Sequence, residues 1–230
     1  MTSITTTTAD TPCPPATDPP YRQIRALYDD ETITVYQAYS AAIATEAVAA
    51  QRLDASPLFR TTRMTWIKPS WAWMLYRAGY SFKDAHQERI LAIRVRRAYF
   101  LGLLAKAALT HAGSAHRRSA AAEMTKEQEV EMRKKEEVVK VQWDPERTVR
   151  LERLGYRSIQ IGIPGALAAD WVEAGIAGIE DVTERARELK RTLDREPKIS
   201  DQELVGLGLV PVERPFEVSE ELRELLEMRG

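Results

Sequence analysis

The sequence predicts an α+β fold, a mostly antiparallel mixed sheet flanked by helices in a single domain. Three observations lead there. Segments of two-residue alternation and segments of helical spacing follow one another in mixed order, without the regular strand–helix–strand repeat that builds a parallel sheet. The clearest strand, residues 88–97 (ERILAIRVRR), puts Leu91, Ile93 and Val95 on one face and Arg94 and Arg96 on the other. Finally, 230 residues of which 44% are hydrophobic and 29% charged suffice for one sizeable core and argue against disorder throughout.

Residues 1–20 are rich in Thr and Pro and hold no Lys or Arg, so they are expected to be a disordered leader to a domain covering 21–230. Residues 21–28 (YRQIRALY) read as a short strand with Arg22 and Arg25 near its ends, closed by a turn at Asp29 and Asp30. Residues 33–39 (ITVYQAY) are apolar or aromatic on both faces apart from Gln37, which predicts a central strand. Ser40 is placed to cap a helix over 41–53 that buries Ile43, Ala47 and Ala50.

Residues 63–77 (RMTWIKPSWAWMLYR) hold three of the five tryptophans and three cations without one acid. Met64 to Ile67 extends, Pro69 forbids helical geometry just before it, and Ser70 becomes an N-cap for a helix that buries Trp71, Met74, Leu75 and Ala78 and ends at Gly79. Residues 98–111 read as a helix, or as a continued strand followed by one, 112–122 as a flexible connector and 124–137 as a charged, solvated helix, the last two forming an insertion over about 112–137. Residues 138–143 return to strand, with a turn at Asp144-Pro145, and 156–163 (YRSIQIGI) alternate again. Pro164 opens a helix to about Ala174, Asp181 caps another to Leu193, and Ser219 caps the last.

Composition narrows the chemistry. No P-loop, dinucleotide glycine fingerprint, HExxH or GxSxG motif occurs. One cysteine, Cys13, and three histidines argue against a Cys/His nucleophile or a metal site, and catalysis is left to carboxylates, lysine, tyrosine or the ligand itself. No apolar run reaches about 18 residues, so no membrane partner is expected and a cytoplasmic location fits. The net charge of −1 hides an asymmetry: residues 55–122 carry twelve Lys/Arg against two Asp/Glu, +10, while 1–54 carry −4 and 123–230 carry −7. Such a basic segment concentrates anionic ligands.

Four clusters are candidates for a ligand site. Arg22 and Arg25 offer planar forks for a phosphate, or edge-strand ion pairs. Tyr36, Gln37 and Tyr39 set an amide between aromatics, or pack a core around one satisfied Gln. Arg63, Trp66, Lys68, Ser70, Trp73 and Arg77 combine cations, a helix N-terminus and indoles that can stack on a ring, although part of this aromatic set must be core. Gln142, Asp144, Glu146 and Arg147 place acids at a strand end, where a general base or a carboxylate that stabilises positive charge is wanted, or form a surface turn.

The segments YRQIRA, VYQAY, RMTWIKPSWAWMLYR, QERILAI, VQWDPER and YRSIQIGI together resemble the domain-of-unknown-function family numbered 4291, over roughly residues 21–209. The resemblance implies one domain with a shared site and no particular reaction. The outlines of VYQAYSAAIA and MTWIKPSWAWML are also distantly similar to ADP-ribosyltransferases, whose split-sheet fold holds NAD. That likeness implies NAD as the ligand, with Gln37 standing where those enzymes have His or Arg, and Glu146 or Gln160 as the residue of the late strand. The expectation is an enzyme for a phosphate-bearing nucleotide: Arg25, Lys68 and Ser70 on phosphates, Trp66 or Tyr36 on a ring, and Glu146 opposite positive charge on the ribose. The alternatives are a single-stranded nucleic-acid-binding module using the same indoles and cations, and an accessory protein that docks a partner through the charged helix.

Overall fold

The computed structural model describes residues 19–109 and 138–228; residues 1–18 of the expected leader and the whole insertion over 112–137 lie outside them. Two units, one antiparallel and one mixed, form the scaffold. In the first, β2 (Thr32–Tyr39), β4 (Arg89–Arg96) and β8 (Ile176–Asp181) pair in the order β2-β4-β8. In the second, β3 (Thr65–Ile67), β7 (Arg153–Ile163), β6 (Val139–Arg147) and β5 (Ala107–Leu109) pair in the order β3-β7-β6-β5, with β5 parallel to β6. A small pair, β1 (Arg25–Ala26) with β9 (Arg214–Pro215), closes one edge. Mixed sheets flanked by helices are thus the α+β class that the pattern predicts.

Among the described residues, one backbone bridge joins the two larger sheets. Tyr36 N–H donates to the Lys68 carbonyl at 2.7 Å and Lys68 N–H donates to the Tyr36 carbonyl at 3.3 Å. Beyond that bridge, residues 65–67 of β3 pair with β7 and make no backbone bridge to residues 37–39 of β2 among the described residues, so the two strands part. That parting makes a split between the sheets.

Helices cover the sheets where the sequence supplies an apolar stripe. α1 (Ala41–Ala50) ends at Gln51 in the left-handed region, φ 56°, and buries Ala44 and Ala47. α2 (Trp71–Ala78) is capped by Ser70, whose hydroxyl accepts from Trp73 N–H, and stops at Gly79, φ 56°. α3 (Arg97–Ala105) follows β4 directly, and α4 (Thr183–Arg195) follows β8, its first N–H bonded to the Asp181 carboxylate at 2.9 Å. α5 (Asp201–Gly206) carries a full Ser200/Glu203 capping box, and α6 (Glu220–Leu225) is capped by Ser219. A helical stretch of mixed pitch covers 165–175.

Two apolar clusters hold these layers. One unites Ile33, Val35, Ile93 and Phe100 with Ile159, Ile161 and Trp171. The other packs Tyr36, Trp71, Met74 and Leu75 against Ile90 and the α4 residues Ala186 and Leu189. Trp71 is buried with its ring 5.1 Å from that of Tyr36, and its indole N–H has no acceptor among the described residues. A buried indole gains about 4–5 kcal/mol from the area it removes from water, which outweighs the roughly 1–3 kcal/mol cost of one unmade hydrogen bond.

Several elements differ from the sequence expectation. β2 lies at the end of its three-strand sheet, and both its faces are buried because each meets a different core cluster. The α1 stripe is Ala44 and Ala47, with Ile43 half-buried and Ala50 exposed. β6 runs through Asp144 and Pro145, with a bulge between Pro145 and Arg147, so no turn interrupts it there. β8 had no counterpart in the alternation read from the sequence. No helix among the described residues is long and apolar enough to cross a membrane.

Candidate functional site

The floor of the site is one face of the second sheet. Register places Trp66 opposite Gly162, Gly162 opposite Lys140, Gln160 opposite Gln142, and Ser158 opposite Asp144. Alternation then sends Trp66, Gln160, Ser158, Gln142 and Asp144 to one side, while Ile159, Ile161 and Val141 enter the core on the other. Gly162 leaves room for the Trp66 indole: a Cβ there would lie 3.0 Å from Trp66 Cη2 and 2.9 Å from Met64 Sδ.

Polar side chains are fixed across this floor. Gln160 Nε2 donates to Gln142 Oε1 at 2.7 Å and to Asp144 Oδ2 at 2.6 Å. Gln37 reaches over the split: its Nε2 donates to Thr65 Oγ1 at 2.6 Å and to the Trp66 carbonyl at 3.1 Å, and its Oε1 accepts from Tyr39 OH at 3.0 Å. Both bonds from Nε2 join the two sheets, while Oε1 is tied to its own strand. The amide positions the cleft, and no free end is left for a proton transfer.

Lys68 is the buried cation of the cleft. Its residue is 6% exposed, and no hydrogen bond or ion pair of its ammonium group exists among the described residues. Burial pushes the amine down to about 8, the neighbouring Arg77 guanidinium adds to that, and the Asp144 carboxylate opposes it. Arg77 on α2 and Arg63 before β3 are exposed at the rim and likewise make no ion pair within the described residues. Gln37, Tyr39, Arg63, Trp66, Lys68 and Arg77 thus line one cleft of about 700 Å3, with Gln142 and Gln160 on its floor and His86 at its edge. An adjoining hollow shares Tyr39, Arg63, Met64, Thr65 and His86 with it, so the groove is elongated. The N-terminus of α1 opens on that extension, but Glu88 Oε1 already accepts from Ala41 N–H there at 2.9 Å.

A second hollow of about 600 Å3 receives Arg25, Ser70, Glu146 and Arg147. α2 separates the two, since Trp71 and Ala72 line this hollow and Met74 and Arg77 the first. Glu146 is 4% exposed, accepts from Ser70 Oγ at 2.9 Å and from Arg147 N–H at 2.8 Å, and is pushed up by burial against the pull of these hydrogen bonds. Beside it, Glu213 accepts from Trp71 N–H at 2.6 Å. Burial raises that carboxyl to about 8, with the Trp71 hydrogen bond opposing and the charge of Glu146 adding. Arg25 is held by Gln23 Oε1 at 3.1 Å and by the Glu213 carbonyl at 3.2 Å.

The sequence-derived set is therefore divided. Arg63, Trp66, Lys68, Arg77, Gln37, Tyr39, Gln142 and Gln160 come together, with Asp144 bonded beneath them. Arg25, Ser70, Glu146 and Arg147 face the other hollow, and Arg147 stacks its guanidinium 3.9 Å above the Tyr76 ring. Arg22 is spent on a surface ion pair with Glu227 at 2.5 Å. Tyr36 is core against Trp71, and Trp73 is 8% exposed and stacked on Tyr76 at 5.1 Å, so neither ring lines the cleft. Glu213 was missed: it is a lone acid in an apolar, proline-flanked run with no periodic signal.

No curated protein and no solved structure matches the chain. A family model does, over residues 23–216, which takes in every strand named above. The chain belongs to that family, described as a domain of unknown function (DUF4291).

Proposed function

We propose that this protein is an enzyme that binds a phosphate-bearing, nucleotide-type ligand in the split between its two sheets. One observation carries the reading: Arg63, Lys68 and Arg77 share a cleft with the Trp66 indole and make no ion pair among the described residues, Asp144 being the one acid that acts on Lys68 there. Elsewhere Arg52, Arg89, Arg150, Arg185 and Arg187 are tied up in ion pairs. Three cations outside any ion pair, set over a half-buried aromatic, suit an anion joined to a flat ring. The elongated groove has room for a dinucleotide.

The finer reading is an ADP-ribosyltransferase-like transferase that breaks the N-glycosidic bond of NAD. Supporting it is the position of the cleft at the split between two sheets. The acid near Lys68 is Asp144, so Asp144 rather than Glu146 takes the part of stabilising positive charge on the ribose as the bonding pair leaves with nicotinamide.

Thermal unfolding and tryptophan fluorescence with millimolar AMP, ADP-ribose and NAD test the ligand class. A raised midpoint with altered indole emission is expected, and no response to any of the three overturns the reading. Nicotinamide release from NAD tests the transferase. Oligonucleotide binding that falls steeply with salt, with no response to mononucleotides, would instead favour a nucleic-acid-binding module.

A further inference from the structure

We propose that the Lys68 amine forms a covalent imine with the carbonyl carbon of a phosphate-bearing aldehyde, a class that includes the open-chain form of a ribose phosphate. The inference rests on the cleft being a phosphate site and names a ligand class for it.

Geometry supplies the argument. The Lys68 side chain lines the cleft, is almost wholly enclosed, and has no hydrogen-bond or ion-pair partner among the described residues. Its backbone is fixed on both sides, by the paired bonds to Tyr36 and by Pro69 leading into the α2 cap, so the stem starts from a rigid point. Among the other described lysines, Lys190 is paired with Asp194, Lys83 is exposed and donates to the Arg77 carbonyl, Lys106 is exposed, and Lys140 is not among the residues lining the cleft. The charged and titratable groups around the cleft are Arg77 from α2, Arg63 ahead of β3, Asp144 from β6 and His86 ahead of β4. Burial and the Arg77 charge leave part of the amine neutral near neutral pH, and the neutral amine is the nucleophile. Arg63 and Arg77 at the rim supply donors for the phosphate, which would hold the carbonyl over the amine.

The step balances without an oxidant or reductant. The amine lone pair adds to the carbonyl carbon, the oxygen gains a proton to give a carbinolamine, and loss of one water leaves the C=N bond. Because the imine hydrolyses back, it must be trapped by reduction.

The full chain is treated with pyridoxal 5′-phosphate and then borohydride, and the modified peptides are mapped. One adduct is expected at Lys68, forming roughly tenfold faster than at Lys83, Lys190 or Lys198 and roughly tenfold faster than with pyridoxal, the factor that one charge-assisted hydrogen bond confers. K68R should lose the adduct; where that variant does not fold, the map of the unaltered protein decides. Label spread evenly over exposed lysines, with Lys68 no faster, overturns the proposal. Nucleotide binding seen by fluorescence in the same samples, without a Lys68 adduct, also overturns the imine while leaving the nucleotide reading standing. An adduct at Lys68 that forms as fast with pyridoxal and is not slowed by AMP or NAD supports the reactive amine and removes the phosphate site.

Discussion

Ser70 Oγ donates to Glu146 Oε1 at 2.9 Å and at the same time accepts from Trp73 N–H at 3.0 Å, joining the start of α2 to the far end of β6. One hydroxyl therefore serves two buried groups. Replacing it by Ala removes an N-cap worth about 1 kcal/mol and a hydrogen bond to a buried carboxyl worth about 1.5–3 kcal/mol. S70A is expected to lower the urea unfolding free energy by about 2.5–4 kcal/mol. A loss below about half a kcal/mol, the range of ordinary surface changes, would show that the pair contributes nothing.

Glu213 gives the fold a pH dependence of defined sign. Its carboxyl is raised in the folded chain from an ordinary 4.5 to about 8, so between those values the unfolded chain gives up a proton that the folded chain keeps. Stability contributed by this group is then fully present below about pH 4.5 and declines by up to about 1.4 kcal/mol per pH unit until pH passes 8. E213Q keeps an acceptor for Trp71 N–H and removes the titration. Urea midpoints of the variant should vary less between pH 5 and pH 8 than those of the parent; parallel curves would sink the assignment.

Local chemistry made α2 legible, because Pro69, Ser70 and Gly79 each have one physical role and all three agree. The run of Asp144 and Pro145 misled for the opposite reason. Proline usually ends a strand, but among the described residues β5 pairs β6 only as far as Val141, so no described strand on that side needs the missing N–H, and the bulge absorbs the distortion. The placement of site residues was partly legible. Arg63, Trp66, Lys68 and Arg77 lie together as their basic, aromatic stretch suggests, whereas Ser70, two residues after Lys68, faces another hollow because α2 stands between them. The role of Gln37 depends on Thr65 and Trp66 across the split, a relationship that no spacing along one strand reveals.

Gly162 controls the aromatic wall. A methyl group added there meets Trp66 Cη2 and Cζ2 at 3.0 Å and Met64 Sδ at 2.9 Å, so the indole or the thioether must move. Crowding of this kind costs about 1–3 kcal/mol, and it displaces the ring proposed to stack on the ligand. G162A should lower the thermal midpoint modestly, alter the tryptophan emission, and weaken nucleotide binding more than it weakens binding of inorganic phosphate. Equal loss for both ligands would mean that Trp66 is only a packing residue.

Arg77 acts on the ligand and on Lys68 together. Its guanidinium is one of the influences holding the Lys68 amine down near 8, after burial itself. Below that value the protonated amine adds a third positive charge to the cleft, so phosphate affinity is expected to fall as pH rises through about 8. R77Q removes one charge-assisted contact, weakening a phosphorylated ligand about tenfold or more, and it also lets the Lys68 amine hold its proton to higher pH. The variant should therefore bind more weakly at pH 7 while the midpoint of its affinity against pH moves upward. Fluorescence titrations across pH 6–10 separate the two effects: weaker binding with an unmoved midpoint would break the link between Arg77 and Lys68, and an unmoved affinity would take Arg77 out of the site.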